Sequence, residues 1–463
     1  MAVRKHGRGK DQQTGSSYGE STGLQLGWYL DEPERIVEVF VDNVAAHVAL
    51  LAQSGAGKSF FLGRLLEEIL LKTRARLFIV DANGDFRSFH EASDKPWSPE
   101  EMQQTTWDTL PKKDYRRLSL FETDWQAKLR FAHLTMRKEL PSNTEYATWI
   151  VPRVKESLIV PYEKALIVCQ ACRYEPTRVG EIANEIRKSG LSIAPTGRLL
   201  SKNIADALAK LGPLFFQLAA ANTGIPEAVT LAATKQQQTE RGINEQIQKD
   251  FKELGSWGIW TNKADEDVSV VLSGKDCDVC VLDCPSFSTP DALKVVLNRA
   301  LASIWNHALE QWELAMKDGK HPRTPTFIVI DEAHNFAPQT IGDPLTELLA
   351  AKLVRIAAEG RKYGLYLILA TQRPAKVRDG LLAECENVCS LRLRSPMDHE
   401  IAARTWGVPI EEIQRTRYFK KGDGLLFGRW VPSTTAFHTA YRRTKEGGAS
   451  LPREMWALPR KKR

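Results

Sequence analysis

Ala52-Gln-Ser-Gly-Ala-Gly-Lys-Ser59 is the stretch on which the fold of this chain turns. The apolar run His47-Val-Ala-Leu-Leu51 precedes it and Phe60-Phe-Leu-Gly-Arg-Leu-Leu66 follows, so the order reads strand, glycine-containing loop, helix. That order is what a phosphate-binding loop requires. Gly55 and Gly57 let backbone N–H groups turn inward around a β-phosphate, and the helix N-terminus adds a positive dipole end. Ser54, Gly55, Ala56, Gly57, Lys58, Ser59 and Phe60 are the expected binding residues. Lys58 is expected to reach the β- and γ-phosphates, and Ser59 to place its hydroxyl on Mg2+. Ala52 stands where the motif usually begins with glycine. That position lies at the strand-to-loop turn rather than beside the phosphate, so the exchange is expected to be tolerated.

Working outward, a second apolar run, Phe327-Ile-Val-Ile330, delivers Asp331 and Glu332 at its end. Asp331 is expected to hold the Mg2+ shell and Glu332 to polarise an attacking water as general base, which marks a hydrolase. Leu369-Ala-Thr-Gln-Arg373 closes another apolar run, and Gln372 is assigned the sensing of the γ-phosphate, with a strand-end polar cap as its alternative reading. Asp81 and Asp85, in Val80-Asp-Ala-Asn-Gly-Asp-Phe86, either approach the metal or water or close an Asx/Gly turn.

Strands expected at 77–80, 279–282, 327–330, 365–369 and 388–393 alternate with helices at 59–72, 291–316 and 343–362. This alternation implies an α/β fold with a mostly parallel sheet flanked by helices. Residues 24–90 form the first part of this core and 276–440 the second. Between them, 91–275 show helical stretches such as 181–212 and 236–254, with a turn at 194–197, and read as a mainly helical insertion. The 463 residues, 43% hydrophobic and 26% charged, exclude a mainly disordered or fibrous chain. No apolar run long enough for a spanning helix occurs, and no secretory signal is read at the start, so a cytoplasmic chain without membrane contact is expected. Of the net charge of +7, the first ten residues carry +4 and residues 441–463 carry +6, leaving −3 for the rest. Segments 1–23 and 441–463 are therefore expected as basic tails, the first disordered, that either touch a phosphate backbone or are simply solvated. Cys169/Cys172 and Cys277/Cys280 have zinc-like spacing. The first pair falls in an expected helix and the second leads into an expected strand, where positions three apart face opposite ways, so buried free thiols are preferred.

AQSGAGKS, FIVDANGDF, FIVIDEAHNFAP, RIAAEGRKYGLYLILATQRP and LRLRSPMDHE together resemble the HerA branch of the HerA/FtsK ATPases. The resemblance covers about residues 25–90 and 278–430. It implies a RecA-like (ASCE P-loop) core that binds ATP and Mg2+, assembled as a homo-hexamer, with each ATP at a seam between neighbours. It implies an arginine from the next subunit that completes catalysis, and Arg355 and Arg361 lie in the family's arginine-bearing stretch. It also implies sequence-independent passage of double-stranded DNA through a central channel; the candidate pore loops either flank the insertion or follow Arg373, as Pro374–Asp379. The expected work is translocation, with a nuclease or other effector, in DNA end processing or anti-phage defence. A ring-shaped ATP-regulated scaffold and a conjugative DNA-transfer ATPase are the alternatives. With the loop at residue 52, the family's N-terminal β-barrel is expected to be missing and partner contacts are expected on the insertion.

Overall fold

Short runs such as Val48–Leu51 and Arg76–Asp81 are buried along almost their whole length, which is the environment of a central parallel strand covered on both faces. The computed structural model describes residues 23–93, 129–144, 146–171, 179–193, 204–212, 214, 233–274, 277–319, 323–340 and 342–447. The turn expected at 194–197, all but residue 23 of the N-terminal segment and residues 448–463 lie outside them.

The strands are β1 Gly23–Tyr29, β2 Ile36–Phe40, β3 Val48–Leu51, β4 Arg76–Asp81, β5 Phe131–Leu134, β6 Ala147–Ile150, β7 Val154–Lys155, β8 Trp260–Thr261, β9 Val279–Asp283, β10 Thr326–Ile330, β11 Leu365–Thr371, β12 Asn387–Ser390, β13 Asp423–Gly428 and β14 Thr435–Thr439. Twelve of them form one sheet in the order β2-β1-β14-β13-β12-β3-β11-β10-β4-β9-β5-β6, while β7 and β8 pair separately. Every pair from β12 to β6 is parallel. The pairs joining β12, β13, β14, β1 and β2 are antiparallel. β11 thus lies between the strand that feeds the loop, β3, and the strand that ends in Asp331, β10.

Alternate residues of each strand serve opposite faces. Leu51, Phe78, Val80, Ile328 and Leu369 pack into one core with helices Pro161–Ala171, Pro290–Asp318 and Pro344–Glu359. Val48, Leu50, Leu77, Ile79, Phe327 and Val329 pack into a second core with helix Lys58–Lys72. Trp305 is buried in the first core, and Trp312 sits half-buried edge-on to Tyr363 at its margin.

Three expectations are corrected. The described part of 91–275 is mainly helical, as expected, but it is not free of strands, because β5 and β6 extend the main sheet beyond β9. Both are four residues long and carry His133 or Trp149 among their apolar residues, so neither shows the run that marked the other strands. The stretch 181–212 is not one continuous helix, since Val179–Ser189 stops before Gly190 in the left-handed region, while described residues 204–212 are helical again. The segment 441–463 does not begin as a tail. Arg442 and Thr444 are buried, and the chain from Ala440 to Gly447 straps helix Lys58–Lys72. Buried Glu67 anchors the strap by accepting the Arg443 N–H (3.0 Å), the Thr444 N–H (2.7 Å) and the Thr444 hydroxyl (2.6 Å). Cys277 and Cys280 are buried free thiols, as expected, although Cys277 precedes β9, so strand alternation does not apply to it; its thiol donates to Val279 O (3.4 Å). Cys169 is buried in helix Pro161–Ala171, and Cys172 lies outside the described residues. Among the described residues, no helix is long and apolar enough to cross a membrane.

Candidate nucleotide site

The carboxyl ends of β3, β4, β10 and β11 converge on the loop after β3. Ala52 N–H donates to Thr371 O (3.1 Å) and Asp331 N–H to Val80 O (3.1 Å), which ties the four strand ends into one frame. Gly55 and Gly57 have φ of 73° and 101°, a left-handed geometry that a side chain would strain. Ser54 and Gly55 form the exposed crest, Ala56 is buried, and Ser59 and Phe60 are half-buried at the helix start. A Cβ on Gly55 would meet nothing within 4 Å, so the crest opens onto free space.

Lys58 lies inside this frame, 6% exposed, with its ammonium on both strand-end carboxylates. It donates to Asp331 Oδ1 and lies 2.9 Å from Glu332 Oε1. Sequence positions 273 apart are thereby brought into contact. Burial opposes the lysine charge, but Asp331 and Glu332 outweigh it and raise the Lys58 pKa. Burial lifts the Asp331 carboxyl against the lysine's pull. Burial likewise pushes the Glu332 carboxyl up, but Lys58 and Gln372 overcome it and hold it below its ordinary range. The site keeps Glu332 ionised, as a general base must be.

Glu332 is the sole non-glycine residue with positive φ among those described, at 50°. Such a conformation costs on the order of 1–3 kcal/mol and persists only where surrounding contacts impose it. Here Gln372 Nε2 donates to Oε1, Asn83 Nδ2 lies 3.4 Å from the same atom, and His334 Nδ1 lies 3.4 Å from Oε2. Oε2 itself is buried with no hydrogen-bond partner. An ionised oxygen without a donor, beside an open glycine crest and a lysine, fits a site that takes in a triphosphate and a water.

The two aspartates after β4 divide the readings left open for them. Asp81 closes the turn, its carboxylate accepting the N–H groups of Gly84 (2.9 Å), Asp85 (3.0 Å) and Phe86 (2.9 Å). Burial lifts its pKa to about 7. Asp85 instead accepts the Ser59 hydroxyl. Ser59, Asp85 and Asp331 thus line the side on which Mg2+ would sit. Mg2+ keeps several waters and borrows oxygens from substrate phosphates, so one hydroxyl and one or two carboxylates suffice for it. Among the described residues, no group of three or more His, Cys, Asp or Glu is arranged to hold a metal without such help.

Residues missed in the sequence join the site. Asn83 Nδ2 donates to Asp331 Oδ2 (3.2 Å), and His334 Nδ1 is 3.1 Å from the Thr371 hydroxyl. Both lie inside quoted motifs, but nothing in their spacing marks them. Arg442 donates to Ser59 O (2.9 Å) from the strap, a contact between chain positions 383 apart that only folding creates.

Arg355 and Arg361 do not join it. They precede β11, whereas Gln372 follows it, and seven strand residues at about 3.3 Å each put about 20 Å between the two ends. Arg361 pairs with Glu386, and Arg355 lies over the Trp305 ring at 4.3 Å. Neither arginine serves the site of its own chain.

Residues 24–140 match the family described as "Helicase HerA, central domain". The chain is similar to HerA helicases over part of its length. It is 26% identical over 186 residues to the DNA double-strand break repair helicase HerA of Pyrococcus furiosus, covering 35% of this chain and 31% of that one. It is 32% identical over 138 residues to the HerA of Sulfurisphaera tokodaii, covering 28% and 27%. The match to these HerA proteins thus spans under a third of their length. Among solved structures, VirB4 of Thermoanaerobacter pseudethanolicus aligns over 95% of this chain and 99% of its own, at 15% identity and a TM-score of 0.48.

Proposed function

We propose that the chain hydrolyses ATP with Mg2+ and couples hydrolysis to sequence-independent movement of double-stranded DNA, as one subunit of a homo-hexameric ring. The observation that carries this reading is the buried contact of Lys58 with Asp331 and Glu332, because it joins the phosphate-binding loop to a general base. In the free site the lysine charge is matched by two carboxylates. On ATP binding, Lys58 turns to the β- and γ-phosphates. Bound Mg2+ supplies charge neutralisation on the phosphate oxygens. Ser59, Asp85 and Asp331 hold that side of the site. Glu332, released from the lysine and oriented by Gln372, takes the proton of the attacking water.

The position of Arg355 and Arg361 supports the ring. A guanidinium on the developing γ-phosphoryl charge is worth roughly 10³–10⁵ in rate. The exposed arginines on the opposite edge of the sheet can supply it only to a neighbouring subunit. The candidate pore loop is held firmly: Arg378 N–H donates to Ala337 O (2.9 Å) and Gln339 N–H to Lys376 O (2.8 Å). Movement of the Glu332 strand end is thereby transmitted to Pro374–Asp379, where contact with the DNA backbone is proposed. A nuclease or other effector working with the ring in DNA end processing or anti-phage defence, in the cytoplasm, completes the proposal.

The test mixes Lys58→Ala subunits with subunits carrying Arg355→Ala or Arg361→Ala and measures DNA-stimulated ATP hydrolysis. Partial recovery at intermediate ratios is expected for one of the arginines. No recovery at any ratio, or hydrolysis indifferent to DNA, refutes the shared-site motor.

A further inference from the structure

We propose that the turn Tyr418–Gly422, with Arg392, forms the nucleoside side of the nucleotide site. Lys421 and Arg392 meet the α-phosphate end of a nucleoside triphosphate, and the Tyr418 ring is the platform on which its base stacks. The inference rests on the reading of the loop as an ATP site and adds what that reading leaves unassigned.

The sheet order sets the direction. Glu332 and Gln372 hold the γ-phosphate end on the β10–β11 side of β3. A triphosphate wrapped around the loop therefore leaves it on the other side of β3, toward β12 and β13. Two cations wait there. Gln53 N–H donates to Arg392 O (2.9 Å), and the Arg392 guanidinium lies 3.5 Å from Gly55 O with its Nε buried and unpartnered. Gly422 N–H donates to Ala56 O (3.1 Å), which seats the turn directly on the loop. A Cβ on Gly57 would lie 3.8 Å from Lys421 Cγ, so that lysine stem runs along the loop's flank.

Charge makes the same point. With ATP bound, Lys58 serves the β- and γ-phosphates, so the α-phosphate end is left to other cations. Neither Arg392 nor Lys421 forms an ion pair with a described residue, whereas nearby Arg415 is paired with Glu412 at 2.8 Å. Tyr418 completes the set. It is 83% exposed, while its neighbours Thr416 and Phe419 turn toward the core. A tyrosine ring in water, four residues before the Gly422 that contacts the loop, offers a π-face to any base, so little discrimination between purines is expected.

The experiment measures KM for ATP and GTP, and the inhibition constant of inorganic tripolyphosphate, on the full chain. Hydrolysis by the unaltered protein that Lys58→Ala abolishes secures the underlying reading. Tyr418→Ala is then expected to raise KM for both nucleotides about tenfold with tripolyphosphate inhibition unchanged, and Tyr418→Phe to restore KM. Lys421→Ala is expected to weaken ATP and tripolyphosphate together, with Lys421→Arg restoring both. An unchanged KM in Tyr418→Ala overturns the platform, as does an equal loss for ATP and tripolyphosphate. An unchanged KM in Lys421→Ala overturns the phosphate contact. Each of these leaves the ATPase reading standing. Failure of the unaltered protein to bind either ATP or tripolyphosphate overturns both.

Discussion

Replacing Gly63 with alanine gives opposite predictions from sequence and from structure. Gly63 lies inside helix Lys58–Lys72, where propensity alone favours alanine by about 1 kcal/mol. The structure reverses the sign. A Cβ at Gly63 would stand 2.5 Å from Arg442 Cδ and 2.6 Å from its Cζ, besides touching Nε. Arg442 is 4% exposed and has little room to yield. Its guanidinium lies 5.2 Å from the centre of the Phe86 ring and donates to Ser59 O (2.9 Å), Thr444 Oγ1 (3.0 Å) and Lys445 O (3.2 Å). Overpacking a filled site costs typically about 1–3 kcal/mol, and hydrogen bonds from a charged donor are worth about 1.5–3 kcal/mol each. Arginine displacement relieves the first cost by incurring the second. After the propensity gain, Gly63→Ala is expected to lose about 2 kcal/mol. That lowers the melting midpoint by about 4–8 °C in a cooperative unit of 150–250 residues. Thermal melts of Gly63→Ala, Arg442→Ala and the double variant are the assay. In the Arg442→Ala background the clash is gone, so adding Gly63→Ala should stabilise, a reversal that measures the coupling directly. A Gly63→Ala protein as stable as the unaltered one, or the same effect in both backgrounds, refutes the strap as a packed element.

Glu332→Gln is expected to bind ATP and to hydrolyse it about 10²–10⁴ times more slowly, and near-normal turnover removes Glu332 as the base. Acid should act through His47. Its Nδ1 accepts the Leu367 N–H (2.9 Å) and its Nε2 donates to Ala357 O (2.8 Å), so the neutral ring is satisfied on both sides. Burial lowers its pKa from 6.5 to about 4. Within that window the unfolded chain binds the proton and the folded one does not, so stability falls as pH drops, by about 3 kcal/mol in total. Urea midpoints between pH 7.5 and 4.5 should lose part of this slope in His47→Gln, and an unchanged slope would clear His47.

Much of the central sheet was legible because parallel strands covered on both faces must be continuous apolar runs. The runs ending at Leu51, Val80, Leu282, Ile330 and Leu369 all lie in strands. β5 and β6 were not legible, because a strand near the sheet edge tolerates His133 and Trp149 and keeps no such run. Lys58, Asp331, Glu332 and Gln372 were readable as separate motifs, since Lys58 opens a helix after a glycine loop, the other three sit just beyond a strand, and the chemistry restricts the residue type. Their contact was not readable, because it depends on which strands are neighbours.

The order of residues along the chain determines the loop, its two glycines and the acidic strand end, since these depend on local backbone geometry and side-chain type. Tertiary structure alone decides that β11 enters between β3 and β10, that Arg355 and Arg361 face away from their own site, and that Arg442 reaches back to Ser59. Those are pairings between distant positions. Their energies come from burying shared surface and satisfying shared hydrogen bonds, and no local pattern records them.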